Sequence, residues 1–246
     1  MEYELELGSE LEEFYSEGMI TGVVEQLTSG KEATAYVCRA GRKLGGGLVA
    51  AKVYKNHRHR SFKNDGVYQM GRNIPGGSLR KAIELRNDVG REAQATLWVS
   101  AEFDTINKLM NAGADVPRLL GQSGRVILME YIGDMAGAAP KLGDVRLERE
   151  EAVRLFNDVV WNIETMLRND VIHGDLSPFN ILYHKGRAVI IDFPQAVDPR
   201  FNTMARELLR RDIENICRYF TRMGVVTNGQ GILHRLWSSF RHSSWR

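Results

Sequence analysis

One segment constrains this chain more than any other: His173–Asn180, with the sequence HGDLSPFN, followed by Asp192 at the end of the apolar run Ala188–Ile191. Within the segment, Asp175 precedes Asn180 by five residues, and Asp192 comes after a predicted hairpin. Carboxylate and amide oxygens are the hard ligands that Mg²⁺ prefers, and this ion is commonly shared between such side chains and nucleotide phosphates. The spacing therefore predicts a site for metal-bound phosphate.

The three oxygen-bearing side chains are expected to have separate tasks. Asp175 would accept or orient the proton of an attacking hydroxyl, while Asn180 and Asp192 would hold the metal ion against the phosphates. The alternative is that Asp175 and Asn180 only cap turns and that Asp192 ends a strand. His173 follows an apolar pair and has no nucleophile beside it in sequence, so we expect a buried histidine that braces the loop.

Lys52 lies in the apolar strand pattern of Leu48–Tyr54. A lysine inside such a strand needs a buried anionic partner unless it lies on an edge strand and reaches solvent. Upstream, the segment Thr28–Ala33 would lay backbone N–H groups and a hydroxyl over phosphates, although an ordinary hairpin turn would look similar. Ser29, Gly30 and Lys31 are the candidate residues of this loop.

The apolar run Val126–Ile132 predicts a strand that leads into a hinge. Met129 would line the back of an adenine pocket, and the backbone of Glu130 and Ile132 would meet the purine edge. A core strand without a binding role remains the alternative, because backbone recognition leaves little trace in side-chain identity.

Apolar periodicity predicts an α+β fold with few long elements. The expected strands are Met19–Leu27, Ala33–Arg39, Leu48–Tyr54, Val116–Leu120, Arg125–Ile132, Ile181–Tyr183 and Ala188–Ile191. The expected helices are one carrying the apolar stripe from Ala93 to Leu109, then Leu147–Leu167 and Met204–Met223. The stretch Gly133–Asp144 is too rich in Gly, Ala and Pro to be regular and would be the hinge, and the tail after Gly224 is expected to be short.

Charge is distributed unevenly along the sequence. The first thirty residues hold eight glutamates and no lysine or arginine, whereas residues 55–91 hold nine lysines and arginines against three acidic residues. That basic segment predicts a surface insertion at about residues 55–88; a contact with RNA is the second interpretation. The two cysteines lack disulfide or zinc spacing. An acidic N-terminus without a signal pattern, and no apolar run of about 18 residues, lead us to expect a cytoplasmic protein.

Together these motifs resemble the RIO family of atypical protein kinases, from about Leu27 to Gly224. The resemblance is carried by five separate stretches: Ser29–Ala33 (SGKEA), Ala51–Lys55 (AKVYK), Ala139–Leu142 (APKL), His173–Asn180 and Ile190–Gln195 (IIDFPQ). In the last of these, Pro194 and Gln195 stand where the usual Asp-Phe-Gly has its glycine. No Ala-Pro-Glu follows, so the resemblance implies that a peptide-docking activation segment is missing.

The resemblance implies one kinase domain over residues 1–246, with a β-rich N-lobe at about 19–132, a mainly helical C-lobe at about 133–246 and a cleft shared by the two. It implies a serine/threonine protein kinase or ATPase that uses ATP with Mg²⁺, or with Mn²⁺ in its place. Lys52 and Glu102 would anchor phosphates, Asp175 would be the catalytic acid or base, and Asn180 and Asp192 would bind metal. Ser177 is a further nucleotide-site candidate. A protein acceptor and a ribosomal particle, contacted through residues 55–91, are the implied partners; no membrane is expected.

Two other interpretations are open. A small-molecule phosphotransferase of the aminoglycoside or choline kinase type shares the lobes and the loop, but it usually has a large helical substrate subdomain, for which few helices are predicted here. A non-catalytic module gated by ATP would use the nucleotide only to shift a conformational equilibrium.

Overall fold

The computed structural model describes residues 9–55, 88–134 and 136–243. Most of the predicted basic insertion lies outside the described residues. The chain divides into two compact units. Of the described residues, the first unit holds 9–55, 88–104 and most of Pro117–Ala138, and the second holds Thr105–Val116 and 139–243.

The first unit is built on a five-stranded antiparallel sheet with the order β1-β2-β3-β5-β4. Its strands are β1 (Ile20–Ser29), β2 (Ala33–Ala40), β3 (Leu48–Tyr54), β4 (Leu119–Ser123) and β5 (Val126–Glu130). The first three agree with the predicted strands. Because β3 pairs with β2 on one side and with β5 on the other, Lys52 lies on a central strand and not on an edge.

Helices accompany both faces of this sheet. The short helix α1 (Glu12–Ser16) packs Phe14, and Leu11 just before it, into a cluster of buried residues that includes Val23, Cys38 and Leu128. A second cluster joins Tyr54 and Ile127 of the sheet to Val99 of helix α2 (Asp88–Asn111). Burying a large apolar side chain contributes about 2 kcal/mol, so these contacts fix the strand that carries Lys52.

The second unit is mainly helical. Its helices are α3 (Arg149–Arg168), α4 (Ala205–Arg222) and α5 (Gly229–Ser243), and the strands β8 (Ile181–His184) and β9 (Arg187–Ile190) form one hairpin. Buried residues recur every three or four positions on the first two helices, as at Leu155 and Val159 or at Ile213 and Ile216. The rings of Phe156 and Phe220 lie edge to face with centroids 5.4 Å apart, which joins α3 to α4.

Two predictions about regular structure are wrong. The strand predicted at Val116–Leu120 begins only at Leu119, because Pro117 has no N–H for a ladder bond and the Val116 N–H donates to the Ala114 carbonyl oxygen in a turn. The stretch Gly133–Asp144 is also more regular than expected. It contains a paired hairpin of two-residue strands, β6 (Gly133–Asp134) and β7 (Gly137–Ala138), and a 3-10 turn at Leu142–Asp144.

The single helix expected between Met204 and Arg246 is a further error. Residues Gly229–Ser243 form α5, and its Leu233 and Leu236 are buried. Met204–Arg246 therefore holds two helices where one was expected. No helix within the described ranges is long and apolar enough to cross a membrane.

Candidate active site

Lys52 and Glu102 form an ion pair in the first unit. Lys52 Nζ donates a hydrogen bond to Glu102 Oε1 at 2.9 Å, and the two side chains are 17% and 1% exposed. The ammonium also lies 5.1 Å from the centroid of the Tyr54 ring, within the range of a cation–π contact. The anionic partner that the partly buried lysine requires is thus a carboxylate of α2, fifty residues away in sequence.

The candidate phosphate loop is the tight connection between β1 and β2. The Gly30 N–H donates to the Ala33 carbonyl oxygen at 2.9 Å, and Ser29 Oγ lies 3.4 Å from Thr34 Oγ1. The Lys31 side chain is exposed. Lys55, to which the sequence assigned no role, donates from its ammonium to this same loop.

The candidate hinge residues lie at the end of β5 and just beyond it. Met129 pairs with Ala50 of β3 and is partly buried, and Ile132 is buried just beyond the strand. The Glu130 N–H donates to the Arg118 carbonyl oxygen at 2.8 Å. Any contact of Glu130 with a purine edge would therefore use its carbonyl oxygen and not its N–H.

In the second unit, the β8–β9 hairpin brings the metal candidates together. Ile181 pairs with Ile190, so the residues on either side of the hairpin's open end become neighbours, and the Ile191 N–H donates to the Asn180 carbonyl oxygen at 3.0 Å. Asp192 follows at φ 72°, in the left-handed region. Asn180 Nδ2 donates to the Asp175 carbonyl oxygen at 2.8 Å, which fixes the loop between the two residues.

The surroundings of Asp175 oppose its ionisation. Partial desolvation raises the pKa of its carboxyl, Arg211 lowers it, and the negative charge of Asp192 raises it further, with a net upward shift. Ser177 caps the 3-10 turn Pro178–Asn180 by accepting the Phe179 N–H at 3.3 Å. The Ser177 hydroxyl is left with its own O–H to donate.

His173 is buried behind the loop. Its Nδ1 accepts the Asp175 N–H at 3.3 Å and its Nε2 contacts the Ile191 carbonyl oxygen at 3.1 Å. These partners assign the neutral tautomer with the proton on Nε2. The ring packs on that of Phe193 with centroids 4.8 Å apart. The geometry is that of a histidine that links the loop to the segment of Asp192, as expected from its apolar neighbours.

Helix α4 supplies contacts that the sequence did not predict. Asp212, 2% exposed, accepts the N–H of Gly174 at 2.8 Å and of Leu176 at 2.9 Å. Arg211 donates to the Gly174 carbonyl oxygen, and Asn215 donates to the Leu176 carbonyl oxygen at 3.1 Å. The helix thus binds the N–H and the carbonyl oxygen of both neighbours of Asp175, Gly174 and Leu176. Asp212 falls among the apolar positions of the predicted helix Met204–Met223. A charged residue at such a position was the sequence signal for a buried polar contact.

A divalent cation fits the oxygen donors of the second unit. Asn180 Nδ2 donates to the Asp175 carbonyl oxygen, and its Oδ1 is the atom that can bind metal. The neighbouring Asp192 raises the pKa of Asp175, and a cation would relieve this repulsion. In residues 9–55, 88–134 and 136–243, no cluster of three or more His, Cys, Asp or Glu side chains could hold a metal by itself. Phosphate oxygens would complete the ligand set.

Comparison with known proteins places this chain in a family. The model of the RIO domain matches residues 35–230. The RIO-type serine/threonine-protein kinase Rio1 of Thermoplasma acidophilum is 34% identical over 156 residues, which cover 61% of this chain and 81% of that protein. Rio1 of Haloferax volcanii is 29% identical over 216 residues, covering 88% of this chain and 69% of that protein.

A solved structure supports the fold independently. The Rio2 kinase–ADP/Mg²⁺–phosphoaspartate complex from Chaetomium thermophilum matches 96% of this chain and 70% of its own, with a TM-score of 0.67 and 21% identity. The predicted α+β kinase-like fold is therefore confirmed. From the match to the RIO domain over most of its length, this chain belongs to the RIO family of serine/threonine-protein kinases.

Proposed function

We propose that this chain binds ATP with Mg²⁺ and transfers the γ-phosphoryl group to a serine or threonine hydroxyl of a protein acceptor. ATP hydrolysis is the same transfer with water as the acceptor. The observation that carries the proposal is the linkage of Asp175, Asn180 and Asp192 through the Asn180 side chain and the Ile191 N–H. Three residues with oxygen-bearing side chains, held near one another by these backbone contacts, match the requirements of metal-assisted phosphoryl transfer.

The residues of the first unit would bind the nucleotide. Lys52, oriented by Glu102, would contact the α- and β-phosphates. Ser29, Gly30 and Lys31 would contact phosphates through the hydroxyl, the N–H groups and the ammonium. The carbonyl of Glu130 and the backbone of Ile132 would meet the purine, with Met129 at the back of its pocket.

The chemical roles follow from the second unit. Asp175 would orient the acceptor hydroxyl and take its proton as the new oxygen–phosphorus bond forms and the bond to the β-phosphate oxygen breaks, releasing ADP. Asn180 and Asp192 would hold Mg²⁺, and Ser177 would donate its O–H to the nucleotide. When bound, Mg²⁺ neutralises charge on the phosphate oxygens. Mn²⁺ has the same preference for oxygen ligands and would substitute for it.

At the level of the whole sequence, we propose one RIO-type kinase domain over residues 1–246. Its N-lobe would span about 19–132 and its C-lobe about 133–246. An RNA or ribosomal partner for the basic segment 55–91 stays a prediction from sequence alone, as does a cytoplasmic location.

The test is incubation of the purified chain with γ-labelled ATP and Mg²⁺, with and without a general protein acceptor such as casein. Released phosphate and label on protein are both followed, and Asp175→Ala is the matched variant because its side chain is exposed and need not affect folding. We expect both products with the wild type and their loss in the variant. Nucleotide binding without either product would instead favour a module gated by ATP, or a kinase of small molecules.

The stability of any label on the chain itself separates two routes. The Rio2 structure contains phosphoaspartate, so a phosphoryl group on Asp192 is a hypothesis for this chain too. An acyl phosphate is released by hydroxylamine, whereas label that survives acid and hydroxylamine treatment would point to a serine or threonine.

A further inference from the structure

Lys55, which directly follows β3, holds the candidate phosphate loop from one side. Its Nζ donates to Ser29 Oγ at 2.8 Å and to the Gly30 carbonyl oxygen at 2.6 Å. Its backbone N–H donates to the Glu32 carbonyl oxygen at 2.9 Å. The main chain and the side chain of one residue therefore both engage the connection between β1 and β2.

The two acceptors of the Lys55 ammonium are a hydroxyl and a peptide carbonyl, so neither neutralises its charge. An ammonium has three N–H donors, and two are engaged by the loop. The side chain is exposed, so the third donor is accessible to a ligand. A structural contact between a strand end and a turn needs no charge, whereas a phosphate-binding loop benefits from one.

The contact also fixes the direction of the Ser29 hydroxyl. Because Ser29 Oγ accepts from Lys55, its own hydrogen points elsewhere, and Thr34 Oγ1 lies 3.4 Å from it. A distance of 3.4 Å is long for an O–H···O hydrogen bond. The Ser29 O–H is therefore available to donate to a phosphate oxygen close to the Lys55 ammonium.

Strand register indicates which phosphate group of ATP would lie nearest to Lys55. Lys52 is level with Ala35 of β2, and the following pairs advance towards the loop until Tyr54 meets Ala33. Lys55 is three residues beyond Lys52 in that direction, about 10 Å at the usual rise of a strand. If Lys52 contacts the α- and β-phosphates, then Lys55 lies towards the terminal phosphate.

We propose that Lys55 is a second phosphate-binding lysine, one that orients the Ser29 hydroxyl and adds positive charge at the terminal phosphate of ATP. This inference rests on the proposed nucleotide site and adds a determinant of selectivity for ATP over ADP.

Its test is calorimetric titration of the full chain with ATP and with ADP, each with Mg²⁺ and at fixed ionic strength. The variants are Lys55→Met, Lys55→Gln and the charge-preserving Lys55→Arg. Lys43→Met is the control, because it removes an exposed lysine from the 3-10 turn Arg42–Leu44, away from this loop. Thermal unfolding without nucleotide reports on folding.

We expect Lys55→Met and Lys55→Gln to weaken ATP binding about tenfold, the effect of removing roughly 1.4 kcal/mol of interaction, and ADP binding by less. Lys55→Arg should retain most ATP affinity, and Lys43→Met should bind both nucleotides as the wild type does. In titrations repeated at higher salt, the loss of ATP affinity in the neutral Lys55 variants should be smaller, because salt screens the charge of the ammonium.

Unchanged ATP affinity in both neutral variants would overturn the inference, as would equal losses for ATP and ADP accompanied by a lower melting temperature. Either result leaves the proposed function intact if the wild type binds ATP. A wild type that binds neither nucleotide would overturn the proposed function itself, and this inference with it.

Discussion

The carboxylate of Glu102 on α2 is joined to the ammonium of Lys52 on β3 by a hydrogen bond of 2.9 Å, with only 1% of the Glu102 side chain exposed. Removing one partner of such an ion pair leaves the other charge buried and uncompensated. The pair is therefore expected to contribute to folding as well as to nucleotide binding, and the two effects are separable.

Lys52→Met should lower the free energy of unfolding by about 3 kcal/mol, because it removes the ammonium and leaves the buried carboxylate. Glu102→Gln should also destabilise, and the double variant should lose less than the sum of the two. Urea unfolding of the four proteins without nucleotide measures this cycle. Strictly additive losses would show that the pair is not coupled, and Lys43→Met controls for the loss of one positive charge.

The contacts of α4 with the loop of Asp175 give a second prediction. Arg211→Met removes the hydrogen bond to the Gly174 carbonyl while keeping the length of the side chain. A small displacement of a catalytic group can cost a factor of ten or more in rate, so we expect kcat to fall about tenfold with the KM for ATP little changed. Steady-state kinetics at several ATP concentrations separate the two parameters.

The matched control for that experiment is Arg222→Met, at the end of the same helix with an exposed side chain. Arg211→Lys, which keeps a donor and the charge, should recover part of the loss. If Arg211→Met and Arg222→Met had the same kcat, the hydrogen bond of Arg211 would not control the position of Asp175.

The sequence predicted the parts of the fold in which local pattern and tertiary burial agree. Strand β3 is bounded as expected because its apolar residues end where Lys55 begins a charged segment. Helix α3 was predicted within two residues at its start, Arg149 against Leu147, because its apolar positions repeat at helical spacing. In both elements the residues that favour the local structure are also those that are buried.

Elements were missed where local signals are weak or contradictory. Helix α5 begins with Gly229 and holds a second glycine at 231, and glycine disfavours helix by about 1 kcal/mol relative to alanine. Leu233, Leu236 and Phe240 do repeat at helical spacing, but the two glycines weaken this signal, and burying Leu233 and Leu236 stabilises the helix. The start of β4 was misplaced because Val116 looks like a strand residue although Pro117 prevents pairing.

The site was predictable only where its residues are close in sequence or lie in a known motif. The β8–β9 hairpin is preceded by Asp175 and Asn180 and followed by Asp192, so these three residues are close in sequence. Asp212 meets Gly174 across 38 residues of sequence and Lys55 meets Ser29 across 26, and the tertiary fold alone brings them together.

The turn between β8 and β9 predicts a stabilising substitution. Lys185 has φ 49° and Gly186 has φ 78°, so both central residues of this two-residue turn are left-handed, as in a type I′ turn. Asparagine tolerates that conformation better than lysine. Lys185→Asn should raise the free energy of unfolding by about 0.5 kcal/mol.

Chemical denaturation of the wild type and Lys185→Asn measures this change. Lys43→Asn serves as the control, because residue 43 does not have a positive φ. An equal gain in both variants would assign the effect to loss of charge and not to backbone conformation.

The stability of the folded chain is expected to depend on pH through Asp212. Burial raises the pKa of Asp212 to about 7, although the N–H groups of Gly174 and Leu176 favour its charged form. The carboxyl has its ordinary pKa in the unfolded chain, so between about pH 4 and pH 7 the folded protein holds a proton that the unfolded chain has released. The contribution of this group to stability is therefore largest at low pH and falls as the pH rises through that window.

Asp212→Asn removes this titration, and its amide oxygen can still accept a hydrogen bond from one N–H. The difference in unfolding free energy, wild type minus Asp212→Asn, should decrease by about 2 kcal/mol from pH 5 to pH 8. Urea unfolding at the two pH values measures it, with Asp158→Asn, a half-exposed helical carboxylate, as the control that should show no such decrease. A constant difference for Asp212→Asn would mean that its carboxyl is ionised throughout this range. In that case the two backbone N–H groups and Arg211 would outweigh desolvation, and the loop of Asp175 would be held by a full negative charge.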